Sequence, residues 1–150
     1  TNRGSCTMEG SEGRSSYSIT FKYRTEKSKI FGSIRRPVAK AYLEGREGGW
    51  LPCFMYIDSG ADFTLIPYRL GLSLGMEMEK EVEEVYGVGG GIPVVIKSLT
   101  MKLGDISLNV RVGWSLREDI PIILGRLDVF DKFDIEFREK EGEVIFKSVS

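Results

Sequence analysis

The chain contains no histidine and no glutamine, and asparagine occurs only at Asn2 and Asn109. Without histidine there is no Ser-His or Cys-His pair for nucleophilic catalysis, and most catalytic zinc sites are excluded. Cysteine is nearly absent. Cys6 lies in a polar leader and Cys53 in an apolar strand, so the pattern predicts two separate free thiols rather than a disulfide, as in a reducing cytoplasm. No apolar run nears the roughly 18 residues that span a bilayer, and no charged-then-apolar signal segment opens the chain. Lys and Arg are spread out, net charge is −1 and the pI is about 5.7, so no nucleic-acid partner is indicated. Gly89-Gly90-Gly91 is not a phosphate loop, because no Lys-Ser or Lys-Thr follows. No repeat of solenoid length occurs. Scarce amides beside frequent Glu and Lys resemble a thermophile's avoidance of labile residues.

What is present is β pattern. The chain's 150 residues suffice for one domain, and 41% hydrophobic with 29% charged residues fits a globular protein. Residues 1–16 are Gly, Ser, Thr and charge, and read as a disordered leader. The folded domain is expected over 17–150. Tyr17, Ile19, Phe21 and Tyr23 alternate with polar residues, as in a strand. Ile34 to Leu43 and Trp50 to Ile57 predict a hairpin joined by a Gly-rich turn. Leu65 to Leu74 predicts a short helix broken at Gly71, and Leu127 to Phe133 a second helical turn or two. Further strands are expected at Val82 to Val88, Ile92 to Leu103, Ile106 to Val112, and Ile120 to Leu124. Phe133–Phe137 and Val144–Phe146 predict a closing hairpin around Gly142. Many short strands with little helix mean an all-β barrel or sandwich. A faint echo links a strand ending in Asp58-Ser59-Gly60 with one ending in Leu124-Gly125-Arg126.

Asp58 stands out chemically. The apolar strand Phe54-Met55-Tyr56-Ile57 delivers it into a Ser-Gly turn. Gly60 permits tight backbone, and Ser59 can hold the turn. Partial desolvation at the strand end would raise a carboxyl pKa. Two such carboxyls in contact share a proton, one acting as base and one as acid; the aspartic-protease dyad is the standard example. The turn occurs once, so the partner carboxylate would come from a second copy of the chain.

The run Tyr56-Ile57-Asp58-Ser59-Gly60-Ala61-Asp62-Phe63-Thr64-Leu65-Ile66-Pro67 resembles the active-site segment of retropepsins, the retroviral-type aspartic peptidases. Pro121-Ile122-Ile123-Leu124-Gly125-Arg126 resembles the family's second hallmark, a strand closing on Gly-Arg. Arg35-Arg36-Pro37-Val38 is similar to the Arg-Pro near the start of viral members, and Tyr86-Gly87-Val88-Gly89-Gly90-Gly91-Ile92 to the Gly-rich flap. These stand in family order over roughly Ser33 to Phe137, and single-domain prokaryotic relatives are also similar.

The resemblance implies an all-β fold: a closed retropepsin-like (acid-protease) β-barrel with one or two short helices, assembling as a homodimer. It implies an aspartic endopeptidase acting on extended peptide or protein without metal or cofactor. Asp58 would be catalytic, with Ser59 and Gly60 supporting its loop across the two-fold axis. Ala61, Asp62, Val88, Gly89, Gly90, Gly91, Ile92 and Ile123 would contact substrate, and Leu124 is a further pocket candidate. Tyr86 is a candidate polar flap residue. Arg126 would pair with Asp62, and Arg36 would reach Asp62 of the other subunit. Asp128 is expected to cap the helical turn after Arg126. The hairpin before Asp58 is longer than in viral members, and the leader and charged C-terminal hairpin leave the dimer interface open. A non-catalytic peptide-binding or dimerisation module of the same fold is the alternative.

Overall fold

The computed structural model describes residues 5–11, 14–78, 83–87 and 90–149. Side chains are described for 17–78 and 91–149. Thirteen strands among these residues build three sheets. Strands β5 (Val38–Glu44), β6 (Trp50–Ile57), β7 (Thr64–Ile66), β8 (Glu83–Gly87), β9 (Gly90–Leu103), β10 (Ile106–Ser115) and β11 (Ile123–Leu124) form the main sheet, ordered β10-β7-β11-β6-β5-β9-β8. β10 also pairs with β9, over Ile106–Ser115 against Leu103–Val94, which closes the sheet into the expected barrel. Its interior holds Ala39, Ala41, Leu43, Met55, Met101, Leu103, Val110 and Val112. These come from strands whose buried and exposed residues alternate, the period-two signature of a one-sided strand.

β1 (Ser5–Ser11), β2 (Arg14–Lys22), β12 (Phe133–Arg138) and β13 (Glu143–Ser148) form a second sheet, ordered β1-β2-β13-β12. Ile19, Phe21, Val144 and Phe146 seal it onto the shared core, with Phe146 ringed by Phe21, Phe130 and Phe133 edge-on. The leader therefore differs from the expectation of disorder: Ser5–Ser11 pair antiparallel with β2, and β2 begins at Arg14. A polar strand can join a sheet through its backbone alone when a neighbour such as β2 is already fixed.

Prolines explain the other departures. The single strand expected from Ile34 to Leu43 is split at Pro37, which has no N–H to give a ladder. Before it, β4 (Gly32–Arg36) leaves the barrel and pairs with β3 (Arg24–Ser28) as a separate hairpin. Leu65 and Ile66 are strand rather than helix. The residue before a proline is held extended, so Pro67 ends β7, and helix α1 (Tyr68–Ser73) starts only after it. Gly71 does not break α1. It is buried against Trp114, whose Nε1 donates to the Tyr68 carbonyl at 2.9 Å and whose ring stacks on Tyr68 at 5.7 Å. The strand expected from Ile120 shrinks to Ile123–Leu124 behind Pro121. The helical turn near Asp128 covers Phe130–Lys132. No helix among the described residues is long and apolar enough to cross a membrane.

Asp128 does not cap that turn. It sits at φ 64 and turns back on Arg111, accepting from its backbone N–H (3.0 Å), Nε (2.9 Å) and Nη2 (3.0 Å). These charge-assisted bonds hold its carboxyl well below the usual range, at about 2, chiefly through the Arg111 side chain and then its backbone N–H. A carboxylate lowered on folding stabilises the folded state above its unfolded pKa, near 3.8. That stability disappears as pH falls toward 2. Asp128→Asn keeps a residue that tolerates positive φ but removes the charge. The variant should melt roughly 2–4 °C lower at neutral pH, an effect limited by the exposure of Arg111. The difference from wild type should vanish near pH 2. Melting curves from pH 7 to 2 check this, and parallel acid limbs would refute it.

Candidate active site

Two strands distant in sequence build the site. β11 runs parallel to β6, with Ile123 opposite Tyr56 and Leu124 opposite Ile57, and antiparallel to β7 on its other side. The echo between the two strand ends is thus a physical pairing. Backbone bonds continue past the strand ends. Asp58 N–H donates to the Leu124 carbonyl at 3.1 Å, and Ile57 N–H to the Pro37 carbonyl at 3.0 Å. Across the loop, Arg126 N–H reaches the Ala61 carbonyl (3.0 Å) and Leu127 N–H the Asp62 carbonyl (2.8 Å). Gly125 N–H donates to the buried Thr64 hydroxyl at 3.2 Å. The turn at Asp58 is fixed from both sides by main chain.

Within the turn, Ala61 N–H donates to the Asp58 carbonyl (3.1 Å) and Gly60 N–H to Asp58 Oδ1 (2.9 Å). A Cβ on Gly60 would lie 3.3 Å from that oxygen, a tight approach, so glycine suits the position. One carboxyl oxygen is thereby oriented by backbone. Asp58, Ser59 and Gly60 are all exposed, where the sequence pattern predicts partial burial of Asp58. A single chain supplies the strand end but not a cover over it.

Asp58 opens onto a cleft of about 380 Å³ lined by Glu26, Arg36, Pro37, Tyr56, Ile57, Pro121 and Ile123. Of the residues expected at the site, the structure brings Arg36 and Ile123 to this cleft. Ala61 and Asp62 lie in the same loop but not in the lining. Leu124 is fully buried and belongs to the core. Arg126 pairs with Asp62 within the chain. Arg36 Nε pairs with Glu26 Oε1 at 3.0 Å. Val88 and Gly89 lie outside the described residues. β8 and β9 form a hairpin on either side of them, with Gly87 opposite Gly90 and Tyr86 opposite Gly91. Gly90, Gly91 and Ile92 belong to that hairpin, and Gly91 and Ile92 do not line the cleft. A larger open hollow of about 750 Å³, between the β5–β6 turn and the end of α1, shares no lining residue with it.

One part of the site is not anticipated by the sequence pattern. Tyr56, expected to be simply apolar, donates its hydroxyl to Glu26 Oε2 at 2.6 Å. Arg24 Nη2 reaches both Glu26 Oε2 (2.8 Å) and the Tyr56 hydroxyl (3.0 Å). The Tyr56 hydrogen bond, followed by the two arginines' contributions, holds the Glu26 carboxyl below its ordinary range against some desolvation. A signal was available: a tyrosine in a strand leading into the core needs a polar partner for its hydroxyl. Its partner, thirty residues upstream, has no local mark. Cys53 is a buried residue of β6, and burial pushes its thiol up to about 12, so it stays protonated. No cluster of metal-ligating side chains occurs among the described residues.

No protein-family model and no curated protein matches the sequence. Solved structures do match. A retropepsin-like aspartic protease from Rickettsia conorii superposes with a TM-score of 0.58 at 13% identity, covering 85% of this chain and 97% of that one. EIAV protease complexed with the inhibitor HBY-793 gives a TM-score of 0.49 at 25% identity, covering 61% and 82%. The chain has the retropepsin-like fold.

Proposed function

We propose that this chain is an aspartic endopeptidase active as a homodimer, in which two Asp58 carboxyls share one proton and activate one water. The observation that carries the reading is the position of Asp58: an exposed carboxylate, oriented by Gly60 N–H, at the end of a strand fixed by main chain and facing a cleft. The retropepsin-like fold supports it. Two carboxyls in contact cannot both ionise, so near-neutral or acidic solution leaves one of each. The ionised one takes a proton from water as the water attacks a peptide carbonyl, and the protonated one donates to the carbonyl oxygen. Collapse of the tetrahedral intermediate passes a proton to the leaving amine, and no covalent enzyme intermediate forms.

The other expected residues keep their roles within this proposal. Ser59 holds the two turns together across the axis. Ala61, Asp62 and Ile123 contact an extended peptide, and Val88 to Ile92 act as a lid over it. Arg126 fixes Asp62, and Arg36, which lines the cleft, reaches Asp62 of the other subunit. Hydrolysis is expected at acidic to near-neutral pH.

A dimeric site makes activity depend on assembly. Peptide cleavage per chain should fall on dilution, with the rate approaching the square of chain concentration below the dimer dissociation constant. A rate that stays proportional to concentration, in solutions where sedimentation finds only monomer, would defeat the shared-carboxyl mechanism.

A further inference from the structure

The β3–β4 hairpin is not accounted for by the barrel. It is a two-stranded sheet, and neither strand pairs with another among the described residues. Such a ribbon is marginal in water unless something packs on it. Its base is fastened to the body. Glu26 takes the Tyr56 hydroxyl and both arginines, and Arg35 Nη2 donates to the Glu139 carbonyl at 2.7 Å. Its tip touches little. Ser28 Oγ accepts from the N–H groups of Ile30 (3.3 Å) and Phe31 (3.1 Å), which shapes the turn and holds these residues at its apex. Ile30 is 82% exposed and Phe31 74%, the two most exposed large apolar side chains among the described residues. Scattered single apolar residues on a surface are ordinary, but a paired apolar tip on an ordered arm marks a contact.

We propose that this hairpin is a dimerisation arm whose Ile30–Phe31 tip docks on a second copy of the same chain. The inference rests on the proposed function, which requires that copy. The occupant follows from position. Arg36, at the base of the hairpin, and Glu26, midway along β3, line the cleft that Asp58 faces. Whatever chain brings a second Asp58 must come alongside this hairpin. Beyond the Glu26 anchor, the last two residues of β3 and the turn carry the tip roughly 10 Å outward, far enough to meet a neighbour packed alongside. In a two-fold pair each tip docks on the other subunit, so every contact is made twice. The open edges of β3 and β4 add backbone groups that a neighbouring strand can meet.

The test is the Ile30→Ser/Phe31→Ser double variant, followed by sedimentation over a concentration series. The dimer dissociation constant should rise by about 30-fold or more. Cleavage should be lost at low concentration and return at high concentration with unchanged kcat per dimer. Circular dichroism and melting temperature should match wild type, because the tip supports nothing in the single chain. Unchanged dimer affinity overturns the arm, as does a wild-type chain that is monomeric throughout. Tip-dependent binding to phosphatidylcholine–phosphatidylserine vesicles with unaltered dimer affinity also overturns it and makes the tip a membrane contact. Asp58→Asn in the same assay separates the two ideas. Cleavage surviving that change, with a dissociating tip variant, removes the shared-Asp58 mechanism and leaves the arm. Cleavage dependent on Asp58, with a normally dimeric tip variant, does the reverse.

Discussion

Asp58→Asn is expected to reduce peptide hydrolysis by about 10³-fold or more while the chain still folds and pairs. The size follows from the proton count. An amide neither takes a proton from water nor shares one with a twin, so both subunits lose the same function together. Folding should survive because Asp58 is exposed and its structural contacts are mostly backbone. The Asn side-chain oxygen can still accept the Gly60 N–H that Asp58 Oδ1 accepts. Hydrolysis of a peptide substrate, measured beside sedimentation of the same preparation, decides the matter. A dimeric, well-folded variant that still cleaves would mean that another group does the chemistry.

Gly125→Ala is expected to produce the largest loss of stability, about 2–4 kcal/mol. A Cβ there would meet the Phe63 carbonyl carbon and oxygen at 2.2 Å and its Cα at 2.8 Å. These are backbone atoms, and Phe63 cannot step aside. Its neighbours Asp62 and Thr64 are tied to Leu127 and to Gly125 itself. The clash can be relieved only by parting β11 from the 58–64 loop, which also strains the bond from Asp58 N–H to the Leu124 carbonyl. Activity should therefore fall further than the unfolded fraction explains. Gly49→Ala is the matched control: its added methyl meets nothing within 4 Å, so its effect should stay within about 0.5 kcal/mol. Chemical denaturation of both variants checks the contrast. Equal stability for the two would show that the loop yields more easily than its hydrogen bonds imply.

The glycine also shows what could be read from sequence. Gly125-Arg126 stood out as a motif, and its physical reason is a strand passing too near another backbone to carry any side chain. β6 was legible to the residue, because Trp50 to Ile57 is bounded by a glycine turn and an Asp-Ser-Gly turn. Besides the prolines, the misreadings share a cause, a distant partner overriding local preference. Leu65 and Ile66 look helical with the residues after them, yet β10 and β11 recruit them as strand. The polar leader has no strand pattern of its own and is drawn in along β2. Asp128 has a capping residue's chemistry but finds Arg111 on a neighbouring strand. Glu26 carries no mark of its own in the sequence, and its place against Tyr56 is set by the fold.

The pairing of β6 with β11 has a consequence in time. Synthesis delivers Asp58 well before Leu124, the residue whose carbonyl receives its N–H. The strand carrying the carboxylate can pair early with β5, its neighbour in sequence and in space. The turn beyond it has nothing to rest on until the last third of the chain arrives. Loop closure over so long a span is slow compared with closing a hairpin. A partly made chain therefore holds Asp58 without the frame that orients it, and the proposed chemistry must wait until the barrel is shut.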